Sequence, residues 1–526
     1  MGIAVGVDFG TTNSVVTYVE PNKKPRTYKP GGSPLIPSVI YFKTRDDYYI
    51  GQKAVAMSAK NFAGAVSGFK IKLNEDDTPY ILTLEDGSTF KIRPKLVVKL
   101  FLNKLLGDVQ EYLLKKKDVD ATIDRAVITV PTKFKDTANA AIKTAASAAM
   151  QLSVGQIKLV YEPTAAAIAA QRDEDSDASR LLIYDFGGGT FDVSLIQKDN
   201  GVFKQVNTDG DPKCGGNLLT NILARNLLEW ANAEYGTNFP WDVDDFDEDV
   251  HGISEVKYRA NLAAIIREAD YAKISLSEEE DTTVTFPFWT SDDDSENYIV
   301  DVSRKEFEQM IREQIDHTAK ITQRVIDSAD AKEVGGIDKI IIAGGSGQIP
   351  MIRQVLQDRF GNLPINRSED VSTLISRGAA ILANDIKTLE ENILQKTTVQ
   401  LGISSTEGMG FGIFQPIIDA GLTLPCENSC NFRLMEDGQR LLKIFYYDRD
   451  KKNYPHATRI DDEGITQVTA LEMELPPGLK KADTFVKVTF RVQKDSTLEI
   501  SAQVFTNDGQ AVTSNKIKVN KGSDTF

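Results

Sequence analysis

Two short segments carry the same order of residue types. Val7-Asp8-Phe9-Gly10-Thr11-Thr12-Asn13-Ser14 and Tyr184-Asp185-Phe186-Gly187-Gly188-Gly189-Thr190-Phe191-Asp192 each run from an apolar stretch into an aspartate, then glycine, then threonine, then a second apolar stretch. Glycine lets a backbone approach an anion closely. Successive N–H groups in such a turn form an anion-binding nest, and threonine hydroxyls add donors. A carboxylate facing phosphate would repel it, so Asp8 and Asp185 are expected to hold Mg²⁺ through water. Two such loops, each after an apolar strand, predict a duplicated fold gripping one nucleotide from both sides. Neither is a P-loop, and no Rossmann G-x-G-x-x-G is present.

Three further segments could complete such a site. Gly344-Gly345-Ser346-Gly347-Gln348 follows the apolar run 339–343 and precedes Pro350, where a helix is expected to open. That arrangement suits an adenosine rest at a helix N-terminus. Glu162, in Glu162-Pro163-Thr164, could orient an attacking water, or could simply start a helix with proline at its first position. Lys70, in Gly68-Phe69-Lys70, could neutralise a transferring γ-phosphate. Taken alone it reads more readily as a surface lysine.

The elements that must position these residues are α/β in character. Residues 3–7, 126–130, 181–184 and 339–343 are short, β-branched apolar runs that predict strands buried on both faces. Between them, 96–116, 136–150, 255–275 and 304–329 have helical spacing. Near residue 397 the period changes to two, and 441–447, 484–492 and 497–505 predict strands of an all-β sandwich.

Composition limits the function classes. Of 526 residues, 41% are hydrophobic and 26% charged, which allows large packed cores. A net charge of −15 argues against general nucleic-acid binding, which needs Lys and Arg on phosphates. Three cysteines, Cys214, Cys426 and Cys430, predict reduced thiols in a reducing compartment. Neither a signal peptide nor an apolar run of ~20 residues, the length a membrane span needs, is evident.

Taken together, GVDFGTTNS (6–14), AVITVPTKF (126–134), YEPTAAAIA (161–169), YDFGGGTFDVSLI (184–196) and the GGS cluster (344–346) resemble the heat-shock 70, DnaK-type chaperone family. ADTFVKVTFRVQKDSTLEISA (482–502) is similar to the end of that family's peptide-binding sandwich, so the resemblance spans essentially the whole chain. It implies an actin-like, sugar-kinase-type duplicated nucleotide-binding domain over 1–388, a linker over 389–398 and a β-sandwich substrate domain over 399–526. No helical lid is expected after the sandwich.

The resemblance also implies roles. Asp8 and Asp185 hold hydrated Mg²⁺; Thr11, Thr12, Asn13, Gly187, Gly188, Gly189 and Thr190 cradle the phosphates of ATP or ADP. Lys70, Glu162, Asp192 and Thr190 act at the γ-phosphate and attacking water. Asp270, Lys273, Ser277, Gly344, Gly345, Ser346 and Gln348 form the nucleoside pocket. In the sandwich, Ile403, Phe432, Leu442 and Ile444 match the apolar positions of the peptide cleft, though each serves equally as sandwich core. The expected function is ATP-dependent chaperoning of extended apolar peptides by a slow, cytoplasmic ATPase, with a J-domain co-chaperone and a nucleotide exchange factor as expected partners. A scaffold that binds ATP structurally is the alternative. A small-molecule kinase on the same fold is disfavoured by the trailing sandwich.

The sequence departs from the family at several points. Gln348 stands where an adenine-stacking Arg is usual. Ile71 and Asn139 replace residues that are usually Arg or another polar group, and Asn217 lies in GGNLLT, which lacks the usual acids. The linker ENILQKTT (391–398) is more polar than the family's. These changes predict intact phosphate chemistry with altered coupling between the domains.

Overall fold

The computed structural model describes residues 2–20, 24–58, 61–75, 78–115, 122–132, 134, 136–153, 156–174, 178–199, 202–367, 371–385, 393–394, 397, 399–407, 410–451, 454–493 and 498–518. Most of the expected linker, 389–398, lies outside the described residues.

Two six-stranded sheets repeat one plan. In the first, Ile3–Phe9 and Asn13–Val19 form an antiparallel hairpin, and Ile123–Val130 then Ile157–Tyr161 continue in parallel from its first strand. In the second, Arg180–Phe186 and Phe191–Asp199 form the hairpin, and Lys339–Ala343 then Ile365–Arg367 continue in parallel. The predicted strands are thus found, three of them a little longer than their apolar runs and the fourth, Lys339–Ala343, with the same bounds. They are buried on both faces because helices cover them, which is why the runs are continuously apolar rather than alternating. The helices Pro94–Lys115 and Asp136–Met150 pack on the first sheet. Gly216–Tyr235, Glu255–Glu278 and Arg304–Ile326 pack on the second.

A third core lies between the sheets. It joins Ala4, Val127 and Val160 of the first to Leu181, Ile183 and Ile341 of the second through the helices Glu162–Glu174 and Leu374–Asn384. Both helices are rich in small residues, and this permits a very close crossing. A Cβ on Gly378 would stand 1.9 Å from the carbonyl oxygen of Ala165. Larger side chains at this crossing would push the sheets, and the loops they carry, apart.

After Gln400 the described structure is strand and loop, with one short 3-10 turn at Lys481–Asp483. Gly410–Ile418, Gln400–Glu407, Leu441–Arg449 and Ile465–Glu474 form one antiparallel sheet. Cys426–Arg433, Thr484–Val492, Leu498–Thr506 and Ala511–Lys518 form another. Leu401, Ile403, Ile444 and Leu471 of the first meet Val486, Val488, Phe490 and Val504 of the second in one apolar cluster. The alternating burial of Thr484–Val492 reflects this one-sided packing. Cys214, Cys426 and Cys430 are thiols, in no disulfide among the described residues. Ile393–Leu394 pairs in parallel with Phe203 and Lys204 at the edge of the second six-stranded sheet.

Candidate functional site

Both aspartate hairpins open into the same cavity, of about 330 Å³. That lies at the lower end of the range for small-molecule sites, roughly 300–1,000 Å³. Its wall includes Asp8, Thr11, Thr12 and Asn13 from the first hairpin and Asp185, Gly187, Gly188, Gly189 and Thr190 from the second. The turns are tight and touch one another. Within the second, the Gly187 amide donates to the Thr190 carbonyl at 3.0 Å. A Cβ on Gly188 would fall 2.0 Å from Thr12 Oγ1, so only glycine lets the two loops close to this distance. Asn217 fastens them: its amide donates to the Gly188 carbonyl at 2.7 Å, and its Oδ1 accepts from the Thr12 hydroxyl at 3.1 Å. Ile71 lies at the same junction, with Cδ1 3.1 Å from where a Gly189 Cβ would be.

Lys70 is not a surface lysine. It is 3% exposed on the short helix Phe69–Glu75, and its Nζ donates to Glu162 Oε1 at 2.8 Å. Glu162 follows the strand Ile157–Tyr161 directly and is the first residue of the next helix, where the helix dipole favours a carboxylate. Glu162 thus both starts a helix and lines the cavity.

The cavity floor is crowded with acid. Burial and the neighbouring Glu162 charge push Asp8 up to about 7, against the opposing pull of Lys70 and a Thr129 hydrogen bond. Burial and the charges of Glu162, Asp192 and Asp8 raise Asp185 well above the usual carboxylate range, again opposed by Lys70. Asp192 pairs directly with Asp185 across the hairpin; it is buried behind the wall and does not line the cavity. Four carboxylates around one ammonium make a site with unmet negative charge, which fits a bound cation. Among the described residues no three acidic, histidine or cysteine side chains could ligate a metal together. Asp8 and Asp185 are the carboxylates here that could hold a hydrated magnesium ion.

The other end of the cavity takes residues from three remote segments. Asp270, Lys273 and Ser277 line it from the helix Glu255–Glu278, and Gly344, Gly345, Ser346 and Gln348 from the turn after Lys339–Ala343. Lys273 Nζ donates to Asp270 Oδ1 at 2.6 Å and to Thr220 Oγ1 at 2.7 Å. Ser346 Oγ donates to the Gly187 carbonyl at 3.0 Å, tying this end to the second hairpin. Ile274, Ile349, Val371 and Ile375 supply apolar wall. The whole is a groove with a donor-rich, cation-seeking end and a mixed apolar end, the shape a nucleoside phosphate requires.

The profile of the Hsp70 protein family matches residues 4–525. The chain belongs to the Hsp70 family. It is 28% identical to the chaperone protein DnaK of Anaplasma marginale (strain St. Maries) over 95% of this chain and 74% of that one. It is 30% identical to the DnaK of Mycoplasma mobile over 97% of this chain and 78% of the relative. With the Thermosipho melanesiensis DnaK the identity is 28%, over 95% and 78%. This Hsp70 is accordingly an ATP-dependent molecular chaperone with an actin-like ATPase fold, and it hydrolyses ATP.

In this Hsp70 the four residues matched to the peptide cleft do not share one environment. Ile403 and Ile444 are buried in the cluster between the β-sheets, whereas Phe432 and Leu442 pack at its edge, partly exposed. Asn217 and Thr220 carry contacts that the sequence reading did not assign. The signal for Thr220 is its spacing, four residues after Gly216 on an otherwise apolar helix face. No local signal marks Ile375, on the helix Leu374–Asn384, or Val371, in the turn before it; both reach the cavity through tertiary packing. No helix among the described residues is long and apolar enough to cross a membrane.

Proposed function

We propose that the cavity between the two hairpins binds ATP with magnesium and hydrolyses it slowly, and that nucleotide state controls how the β-sheets after Gln400 hold an extended apolar peptide. The observation that carries this reading is the buried pair of Lys70 and Glu162, 2.8 Å apart, in the cavity that both glycine hairpins line. Lys70 is placed to meet the charge of a transferring γ-phosphate, and Glu162, with Asp192 behind, to orient the attacking water. Thr190 lies at the mouth of the second turn, where its hydroxyl can donate to a phosphoryl oxygen. Magnesium, when bound, would neutralise charge developing between the β- and γ-phosphates.

The eight-stranded region reads as a two-sheet sandwich for peptide. Phe432 and Leu442, at the edge of its core, are the residues placed to meet an apolar side chain; Ile403 and Ile444 support them from below. The domain limits we assign are 1–388, 389–398 and 399–526. Unfolded clients are the expected ligands, with a J-domain protein and a nucleotide exchange factor as expected partners.

Coupling is where this chain is expected to differ from its relatives. Ile71 and Asn217 sit at the junction of the phosphate loops, and Asn139 is buried with its Oδ1 unpartnered. Single-turnover hydrolysis of pre-bound ATP, with and without an apolar extended peptide, tests the reading. Acceleration by peptide supports coupled chaperone action. Hydrolysis indifferent to peptide shows an uncoupled ATPase, and ATP that stays intact overturns the catalytic assignment.

A further inference from the structure

Thr12 and Gly188 meet at the seam between the two glycine hairpins, and a side chain from a third element reaches that seam. Asn217 lies in the first turn of the helix Gly216–Tyr235 and lines the nucleotide cavity. It is fixed at two points. Its backbone amide donates to the Gly188 carbonyl at 2.7 Å, and its Oδ1 accepts from the Thr12 hydroxyl at 3.1 Å. The neighbouring Gly216 amide donates to the Gly187 carbonyl at 2.9 Å. The carbonyls of Gly187 and Gly188 are thereby satisfied by the helix rather than left to repel an anion.

The donors at this seam can be counted. A threonine hydroxyl has one proton, and that of Thr12 is given to Asn217. The carboxamide of Asn217 has two N–H donors, and no described residue accepts from its Nδ2. The side chain is exposed, so these donors are open to a ligand. The lysines of the cavity wall are already engaged. Lys70 pairs with Glu162 at 2.8 Å and Lys273 with Asp270 at 2.6 Å. A polyphosphate entering the cavity therefore meets paired cations, and neutral donors must carry part of its charge. Asn217 supplies one without adding a carboxylate to a wall that already holds Asp8, Glu162 and Asp185.

We propose that Asn217 is a phosphate-binding residue of this site: its Oδ1 holds Thr12 while its Nδ2 donates to a phosphoryl oxygen of the nucleotide. The assignment rests on the reading of the cavity as a nucleotide site, and it adds a contact from outside both hairpins.

The test is calorimetric titration of the full chain with ATP, ADP and adenosine in magnesium buffer. We expect Asn217→Ala to weaken ATP and ADP about tenfold or more, the loss when one hydrogen bond to a charged group is removed, and to leave adenosine within twofold. Asn217→Asp keeps an acceptor for Thr12 but replaces the donor with negative charge, and should weaken ATP further than alanine does. In a Thr12→Val background Asn217→Ala should again cost about tenfold, because a direct contact does not pass through Thr12. Adenosine affinity and unfolding temperature report that each variant is folded. A parent chain that binds neither ATP nor ADP would fail the nucleotide reading itself, whereas parent-like ATP affinity in Asn217→Ala would overturn only this assignment. So would a loss that vanishes in the Thr12→Val background, or one that adenosine shares equally. Should Asn217→Ala fail to fold, Asn217→Asp decides, and ATP affinity at the parent level overturns the contact.

Discussion

Lys70 Nζ and Glu162 Oε1 stand 2.8 Å apart, both nearly removed from solvent, although 92 residues separate them in sequence. The pair sits beside Asp8 and Asp185, whose negative charge Lys70 partly offsets and Glu162 adds to. We expect Lys70→Ala to slow single-turnover hydrolysis roughly 10²-fold or more, the usual effect of removing one preorganised electrostatic contact. ATP binding should survive, because the glycine turns are untouched. The same change leaves Glu162 buried without its partner and should lower stability by about 3–5 kcal/mol. Thermal unfolding and nucleotide titration of one preparation separate the two effects; normal hydrolysis would remove Lys70 from catalysis.

The acid cluster predicts an inverted pH dependence in the nucleotide-free chain. Asp8 keeps its proton up to about 7 in the folded state, against an ordinary value of 3.8. Between those values the native state binds more protons than the unfolded state, so this group's contribution makes stability fall as pH rises and level off above 7. Comparison of parent and Asp8→Asn by urea unfolding in chelator, from pH 4.5 to 8, isolates it. The variant should gain on the parent by roughly 1–4 kcal/mol across that window, since each pK unit is worth 1.36 kcal/mol. A constant difference would show that Asp8 titrates normally.

Gly378→Ala tests the helix crossing between the sheets. The added methyl would stand 1.9 Å from the Ala165 carbonyl oxygen, which is backbone and cannot rotate away. Overpacking of this kind costs about 1–3 kcal/mol. We expect a lower unfolding temperature together with weaker ATP binding, because the helices set the spacing of the two hairpins. Loss of stability with unchanged affinity would show that the hairpins hold their spacing without this crossing.

Gln348 lines the nucleoside end of the cavity, where an arginine is usual in the family. Gln348→Arg should tighten ATP and ADP about fivefold, since a guanidinium stacked on an aromatic face contributes ~1 kcal/mol. Equilibrium titration of both nucleotides checks it. Unchanged affinity would place the adenine away from this side chain.

The two glycine hairpins were legible in sequence because their physics is local. A tight turn needs its glycines and threonines within a few consecutive residues, and Asp8–Asn13 and Asp185–Thr190 carry that demand in the order of the chain. Buried strands on either side were legible for the same reason, since burial on both faces leaves a continuous apolar run. Family membership could be read from these motifs together.

Other features were decided by tertiary structure alone. Lys70 reads as a surface lysine until its helix is laid against Glu162. Asn217 becomes the clip between two loops only when the helix Gly216–Tyr235 brings it to both. Asp192 looks like a cavity residue in sequence, yet the hairpin register sets it behind Asp185. Short-range geometry is written in adjacent residue types, whereas charge pairing and desolvation depend on which distant segments the packed core brings together.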